Sequence, residues 1–186
     1  MSISRSAGVD VHSLPMTPRT RKLLLSTHVA VSVGWLGAAV AYIALAITGI
    51  TSVDPEQARA AYLSLKMIGW FVIVPASLAS LLTGLLQSAG TDWGLFRHYW
   101  VSAKLLLTSV ATLVLLGHMP AVSRMSAVAA SPSWSRAEAD VLPIQLVVHA
   151  AGGIMVLLVI VALSVFKPWG RTPYGRRKQR ERAIAR

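Results

Sequence analysis

Four ionisable side chains lie within or at the ends of long apolar stretches of this 186-residue chain, and these are the side chains that could do chemistry there. They are His28, Lys104, His118 and His149. Ionisable groups are costly inside a bilayer, so those that occur there are functional candidates. Imidazole nitrogens are common ligands of metal and haem iron, and a lysine can pair with an anionic group. No Asp or Glu occurs in the predicted spans, which argues against a proton-coupled carrier or an ion pump.

The apolar stretches themselves predict the elements that position these residues. Residues 23–53, 67–91, 105–123 and 141–166 contain no Asp, Glu, Lys or Arg, and a helix of about 20 apolar residues crosses a bilayer. Charged residues make up 13% of the chain, against about 25% in soluble domains. We therefore predict an all-α integral membrane protein, a four-helix up-down-up-down bundle with spans at about 23–50, 61–88, 99–119 and 141–166.

The remaining segments fall outside the membrane in this reading. Residues 1–20 are predicted as a disordered cytoplasmic lead, 21–168 as the transmembrane domain and 169–186 as a basic cytoplasmic tail. A short outer loop carries Asp54 to Glu56, and the longest outer connection is expected at 120–140. Pro75 is expected to kink the second span. The capping-box spacing of Ser135 and Glu138 predicts that the fourth helix begins before it enters the bilayer.

Basic residues are distributed unevenly between the two sides of this arrangement. On one side lie Arg5, Arg19, Arg21, Lys22, Arg97, Lys167, Arg171, Arg176, Arg177, Lys178, Arg180, Arg182 and Arg186. The opposite side carries only Arg59, Lys66, Arg124 and Arg136. Because basic residues near span ends stay in the cytoplasm, we predict an inner-membrane, multi-pass protein with both termini cytoplasmic.

The same charge distribution bears on partners. The net charge of +11 is concentrated near span ends, so the expected partners of the tail are anionic lipid headgroups and not nucleic acid. The chain has no cysteine, which excludes disulfides, thiolate catalysis and Cys-ligated metals. The first apolar stretch is too long for a signal-peptide core, so we interpret it as a retained helix.

Helix rise places the four candidates at two depths. Counted from the cytoplasmic span ends, His28 and Lys104 lie roughly 6–7 Å inside, and His118 and His149 lie roughly 27–29 Å from that boundary. Lys104, Ala111 and His118 are seven residues apart and share the face of their helix that we expect to point inward. His28, Trp35 and Tyr42 share one face of the first helix in the same way.

Two His at one depth on facing helices are what a membrane b-type haem requires. Each imidazole gives one axial nitrogen, and Gly152 and Gly153 make room for a flat macrocycle. The alternatives remain open that these His are structural residues near the membrane interface and that Lys104 extends to the headgroups. The only metal that we expect these residues to bind is a haem iron.

Small residues suggest close helix packing. Ala30, Gly34 and Ala38 have small-xxx-small spacing on the first helix, which allows a neighbouring backbone to approach. Such faces also suit a membrane partner or a second copy of the chain. We therefore keep a non-catalytic partner of a larger complex as the alternative to a redox protein.

Three stretches together resemble a bacterial superfamily. They are residues 27–38, where His28 precedes Trp35-Leu36-Gly37; residues 82–84 leading to Trp93-Gly94; and residues 99–107, which include Lys104 and are followed by His118. This pattern resembles the CopD-type copper-resistance membrane proteins, the HemJ-type membrane protoporphyrinogen oxidases and a set of small uncharacterised four-span bacterial proteins. Residues 167–175 resemble the actinobacterial members of that set.

The resemblance implies a haem role for two residues. His28 matches the helix-one His that the oxidase type uses at its haem, and Lys104 matches that type's helix-three Lys. Residues 38–46 lack the aromatic and Arg-containing run of the oxidases, and the chain lacks the Met and His richness of a copper importer. The uncharacterised set is therefore the nearest resemblance. We expect a small membrane protein that binds haem b and transfers electrons.

The two lines of reasoning indicate different ligands. The resemblance favours His28, and the depth argument favours His118 and His149. We give His28 the preference, because an error in a predicted helix end does not affect it.

Overall fold

A computed structural model of the chain describes residues 16–90, 95–132, 134 and 142–184. These residues form five helices, which we name α1 (Pro18–Thr51), α2 (Pro55–Ala89), α3 (Tyr99–Ala130), α4 (Leu142–Phe166) and α5 (Pro173–Ile184). The first four are long and apolar enough to cross a membrane. The predicted all-α class is confirmed, and the chain is a multi-pass membrane protein.

The four long helices form a bundle in which each contacts the two beside it. α1 packs on α2, α2 on α3, α3 on α4, and α4 returns to α1. α1 and α3 therefore lie on one diagonal of the bundle, and α2 and α4 on the other. Short connections make chain neighbours antiparallel, as the sequence predicted.

α1 begins earlier than predicted. Pro18 occupies its first turn, and the hydroxyl of Thr17 accepts a hydrogen bond from the backbone N–H of Thr20 at 3.2 Å. This is an ordinary helix start, with a Thr cap and a proline at the first position. Residues 18–20 therefore belong to the helix and not to the predicted lead, of which residues 1–15 lie outside the described part of the chain.

α2 also starts earlier, within the segment expected to be a loop. Asp54 caps the helix by accepting the N–H of Glu56 at 3.0 Å, and Pro55 is the first helical residue. The helix is wound as a π-helix at Gly69–Ile73, directly before Pro75. A proline ring collides with the carbonyl four residues earlier, here Phe71, and the wider winding accommodates it. The irregularity that the sequence placed at Pro75 thus lies one turn earlier.

α3 continues well past its predicted end, so the expectation of an outer loop from residue 120 is wrong. Pro120 lies inside the helix, which ends at Ala130. The residues after Pro120 have a buried face, formed by Val122, Met125 and Ala129. Burial of that face outweighs the one backbone hydrogen bond that Pro120 removes. The expected helix start near Ser135 and Glu138 lies outside the described residues.

The apolar core is concentrated in the half of the bundle that contains the end of α1 and the end of α3, where the extensions of α2 and α3 meet; we call it the outer half and the opposite half the inner half. Its most buried side chains include Tyr62, Leu65, Met119, Val122 and Met125. The inner half is more polar inside: Ser32 and Ser80 share a hydrogen bond of 2.8 Å, and Ser77 is fully buried. The outer half is therefore the more tightly packed part of the bundle.

The first two residues of the small-residue face of α1 do not pack inside the bundle, whereas Ala38 lies against the core. Ala30 and Gly34 are exposed, and a Cβ added at Gly34 would meet no atom within 4 Å. The close approach on α1 occurs instead at Gly49, which packs against the ring of Tyr62. The small-xxx-small spacing predicts a face of α1 that another helix can approach closely. The helix that approaches most closely, α2, does so at Gly49 and not at this face.

Candidate functional site

His118 and His149 are in direct contact. Their imidazole centroids lie 4.1 Å apart and the ring planes differ by 9°, so the rings are stacked. His118 is buried on α3 and His149 is half-buried on α4. The depth pairing of these two residues is confirmed.

The α4 backbone orients His149. Its Nδ1 lies 2.9 Å from the carbonyl oxygen of Gln145, one turn earlier in the helix. A carbonyl only accepts, so Nδ1 is the protonated nitrogen in the neutral form of the ring, and that form has its lone pair at Nε2. This is the arrangement by which proteins fix a His tautomer for ligation through Nε2.

The His pair lines a central cavity of about 330 Å³. Ligand and cofactor sites commonly have volumes from about 300 to 1,000 Å³. Its lining is almost entirely apolar, and residues of four helices contribute to it, among them Trp35, Tyr42, His118, His149, Gly152 and Gly153. The glycines of α4 have no atom within 4 Å of an added Cβ, so they leave the space open.

The cavity reaches the lipid-facing surface between α3 and α4. Val110, Val114 and Val148 line it and are each about half exposed on the outside of the bundle. A lipophilic molecule therefore has a route into the cavity from the bilayer.

Two residues that line this cavity each carry a buried polar atom without a hydrogen-bond partner among the described residues. The atoms are Nε2 of His118 and the hydroxyl oxygen of Tyr42. An unpaired buried polar group costs about 1–3 kcal/mol, and such groups need an explanation when they occur. A bound molecule that satisfies them is one explanation, and their position at one cavity favours it.

His28 lies outside this cavity and is engaged elsewhere. Its Nδ1 is 3.0 Å from the hydroxyl of Thr83 on α2, and its ring packs against Gly84. Thr83 in turn donates to the carbonyl of Ala79 at 2.6 Å. His28, Trp35 and Tyr42 do share an inward face, as predicted, but only the two aromatic residues reach the cavity.

Lys104 is directed into the bundle. Its Nζ lies 3.1 Å from the hydroxyl of Ser164 on α4 and 4.9 Å from the ring centre of Trp100. Lys104 thus contacts α4, whereas His28 contacts α2, although both lie in the inner half. No carboxylate pairs with Lys104 within the described residues.

The contacts of Lys104 allow a direct test of whether it serves the interior or the headgroups. Ser164 also donates to the carbonyl of Ile160 at 2.8 Å, so it stays satisfied when the lysine is removed. We expect Lys104→Met to unfold at a midpoint no lower than wild type, because an unpaired half-buried charge is removed. Lys104→Arg should lower the midpoint, since the larger planar group does not fit the same space. Thermal unfolding in detergent measures both variants.

A headgroup anchor would give the reverse order. In that case Arg retains the interaction with lipid phosphate and Met loses it. A lower midpoint for Lys104→Met together with a wild-type midpoint for Lys104→Arg, measured in anionic lipid, would show that Lys104 is an anchor.

The donor set fits haem better than a protein-ligated metal ion. Within the described ranges, no group of three or more His, Cys, Asp or Glu is placed to hold a metal. Two imidazoles beside an apolar cavity are residues that would hold a haem b through their ring nitrogens. In this structure the rings are stacked 4.1 Å apart and leave no space between them, so at least one ring would have to move out of the stack before both could hold the same group.

Comparison with known proteins gives no relative for this site or fold. No family model, no curated protein and no solved structure matches the chain.

Sequence reasoning did not identify Tyr42 as a site residue. It placed Tyr42 on the inward face of α1 but gave no reason to expect an unpaired hydroxyl there. The usable signal was the heptad spacing from Trp35 to Tyr42, which puts the Tyr42 ring on the inward face at about the depth of the His pair.

Proposed function

We propose that this chain is a haem b-binding electron-transfer protein of the bacterial inner membrane, with His118 and His149 as the iron ligands. The observation that carries the proposal is the buried Nε2 of His118, which has no partner among the described residues, on a residue that lines the same cavity as His149. A haem iron binds such a nitrogen and removes the cost of leaving it unpaired.

The chain's own residues would divide the work of holding the group. His149 presents Nε2 because Gln145 holds its Nδ1 proton. The two α4 glycines leave room for a flat ring system, and Trp35 and the valines of the cavity exclude water. The hydroxyl of Tyr42 is available as a hydrogen-bond donor at the same cavity. A bound haem b supplies one-electron redox chemistry at its iron.

The resemblance to HemJ-type and CopD-type proteins supports a haem or redox role in general terms. It directs attention to His28, however, and His28 does not line the cavity. We therefore propose the outer pair as ligands and depart from the preference for His28.

An absorption spectrum tests the proposal. The full chain is expressed in a host supplied with a haem precursor, purified in detergent and measured oxidised and then after dithionite. We expect a Soret band that shifts on reduction together with the sharp visible bands of a low-spin haem. Protein without a Soret band under these conditions rules out the haem proposal.

We also propose that both termini lie in the cytoplasm. The uneven distribution of basic residues supports this orientation. Val53, between α1 and α2, is 95% exposed, and Ile184, near the end of α5, is 86% exposed, so a cysteine at either site is accessible. Because the chain has no native cysteine, each variant carries a single thiol.

Impermeant thiol reagent on intact spheroplasts should label Val53→Cys and leave Ile184→Cys unlabelled until the membrane is opened. Labelling of both after lysis is the control for reactivity. Labelling of Ile184→Cys in intact cells, with Val53→Cys protected, would reverse the orientation.

A non-catalytic membrane partner is the second candidate function. The exposed stripe of Ala30 and Gly34 favours it, because a small-residue face on a membrane helix lets another helix approach closely. This reading gains weight if the purified protein proves to be free of haem.

A further inference from the structure

The chain after α4 folds back onto the connection between α2 and α3. Arg171 forms an antiparallel backbone bridge with His98. The N–H of Thr172 donates to the carbonyl of Arg97 at 3.0 Å, and its hydroxyl donates to the carbonyl of Phe96 at 2.6 Å. These contacts fix residues 171–172, which lead into the basic helix α5, to the segment that precedes α3.

This docking requires a glycine at position 175, because there is no room for a side chain there. It is buried, and an added Cβ would clash with the carbonyl oxygen of Arg97. That contact is with backbone, which cannot move aside as a flexible side chain can. Any larger residue at position 175 must therefore push α5 away from residues 95–98.

Docking creates a groove of about 480 Å³ at the end of the bundle where α3 begins and α4 ends. Its lining is Tyr99, Ala103, Trp169, Gly170, Arg171 and Arg176. Tyr99 is the first residue of α3, and Trp169 follows the end of α4 by three residues. The groove therefore lies at the level where a span leaves the hydrocarbon, the usual depth of Trp and Tyr belts.

The backbone at Trp169 is strained in the conformation that lines the groove. Its φ is 60°, in the left-handed region that costs a non-glycine residue roughly 1–2 kcal/mol. Its indole is 65% exposed in spite of its size. A strained residue that presents an aromatic ring beside two arginines is typical of a binding position.

The charge of the groove selects an anion. Its two charged residues are both arginines, and neither forms a salt bridge within the described part of the chain. Arg171 contacts the amide oxygen of Gln179, which leaves other donors of its guanidinium available. Guanidinium groups suit phosphate because they donate in a planar fork.

We propose that this groove binds the phosphate of one anionic phospholipid, held by Arg171 and Arg176 with Trp169 and Tyr99 against its glycerol and upper acyl region. This differs from a diffuse attraction of a basic tail to a charged surface. A discrete site is saturable and depends on the docking of α5, whereas diffuse attraction depends only on net charge.

Lipid retention by the purified full chain tests the proposal. The protein is exchanged into detergent containing phosphatidylglycerol, phosphatidylcholine or both, and bound lipid is counted by native mass spectrometry. We expect one tightly retained phosphatidylglycerol, no equivalent phosphatidylcholine, and no displacement by millimolar inorganic phosphate. Equal retention of the two lipids, or displacement by free phosphate, would overturn the assignment to an anionic phospholipid.

Two α5 arginines provide a matched pair of variants. Arg176→Gln should weaken phosphatidylglycerol binding about tenfold, as expected for losing a charge-assisted hydrogen bond. Arg180→Gln removes the same charge from the same helix, but Arg180 does not line the groove. It should change binding less than about twofold. Equal losses in the two variants would indicate diffuse attraction and overturn the proposal.

Gly175→Ala provides a second test that leaves the net charge unchanged. Because the added methyl group displaces α5, we expect it to weaken binding at least as much as Arg176→Gln. The four spanning helices do not depend on this contact, so the variant should retain the helical circular dichroism of wild type. A folded Gly175→Ala protein with wild-type lipid retention would show that the docked groove is not the binding site.

Discussion

His118→Ala is expected to abolish the low-spin haem spectrum, whereas His28→Ala should leave it intact. The first variant removes an imidazole that lines the central cavity and whose buried Nε2 has no partner in the described structure. Without this imidazole, a bound haem b would lose one of the two residues that would hold its iron. His28 instead contacts Thr83 outside the cavity, so its removal affects only inner-half packing. Reduced-minus-oxidised spectra of the purified variants, with haem measured per protein, give the comparison.

His149→Ala is the companion variant and should behave as His118→Ala does. Both substitutions also remove the ring stacking between α3 and α4, so circular dichroism must show that each variant is folded. A second check is Gln145→Ala, which keeps the carbonyl that holds His149 and should retain the spectrum. If His28→Ala loses the low-spin bands while folded His149→Ala keeps them, the ligands lie in the inner half and the outer-pair assignment is wrong.

The sequence was sufficient to place His118 and His149 together. Helix rise is nearly constant, so counting residues from a span end gives depth, and the up-down-up-down order makes α3 and α4 neighbours. The rotation of each ring could not be predicted, because it depends on Gln145 and on the packing of α1. The same limit applies to Tyr42, whose unpaired hydroxyl is a property of the assembled cavity.

The helix ends differ from their predicted positions more than the spans do, because the residues there are compatible with two local structures. Asp54-Pro55 is typical of a loop, but a capping Asp followed by proline also starts a helix. Pro120 favours a helix end, but apolar residues continue at helical spacing through Val122, Met125 and Ala129. In both places the helix extends beyond the expected span because its residues pack in a core between helices. The sequence indicates that core only through the helical spacing of its apolar residues.

The docking of α5 shows a further limit of local reasoning. Its basic composition predicted contact with lipid, but nothing near Gly175 signals that residue 97 will pack on it. The bridge between His98 and Arg171 joins segments more than 70 positions apart in the chain. Contacts of this kind follow from how the ends of α3 and α4 meet, which hydropathy does not encode.

Gly49→Ala is expected to destabilise the bundle by about 1–3 kcal/mol, the usual cost of overpacking a core. A Cβ at this position would lie 2.5 Å from Cε1 of Tyr62, whose ring is 2% exposed and enclosed by α1 and α2. The ring cannot move without disturbing the outer core, so the helices must separate. Reversible unfolding in mixed detergent micelles, followed by circular dichroism, measures the change.

Gly34→Ala is the matched control, because it makes the same substitution in the same helix. An added Cβ there meets no atom within 4 Å, and alanine is about 1 kcal/mol more favourable than glycine within a helix. We therefore expect Gly34→Ala to match or exceed the stability of wild type. Equal stability of the two variants would mean that Gly49 and Tyr62 are not in close contact, and that the outer half of the bundle is not the tightly packed part of the molecule.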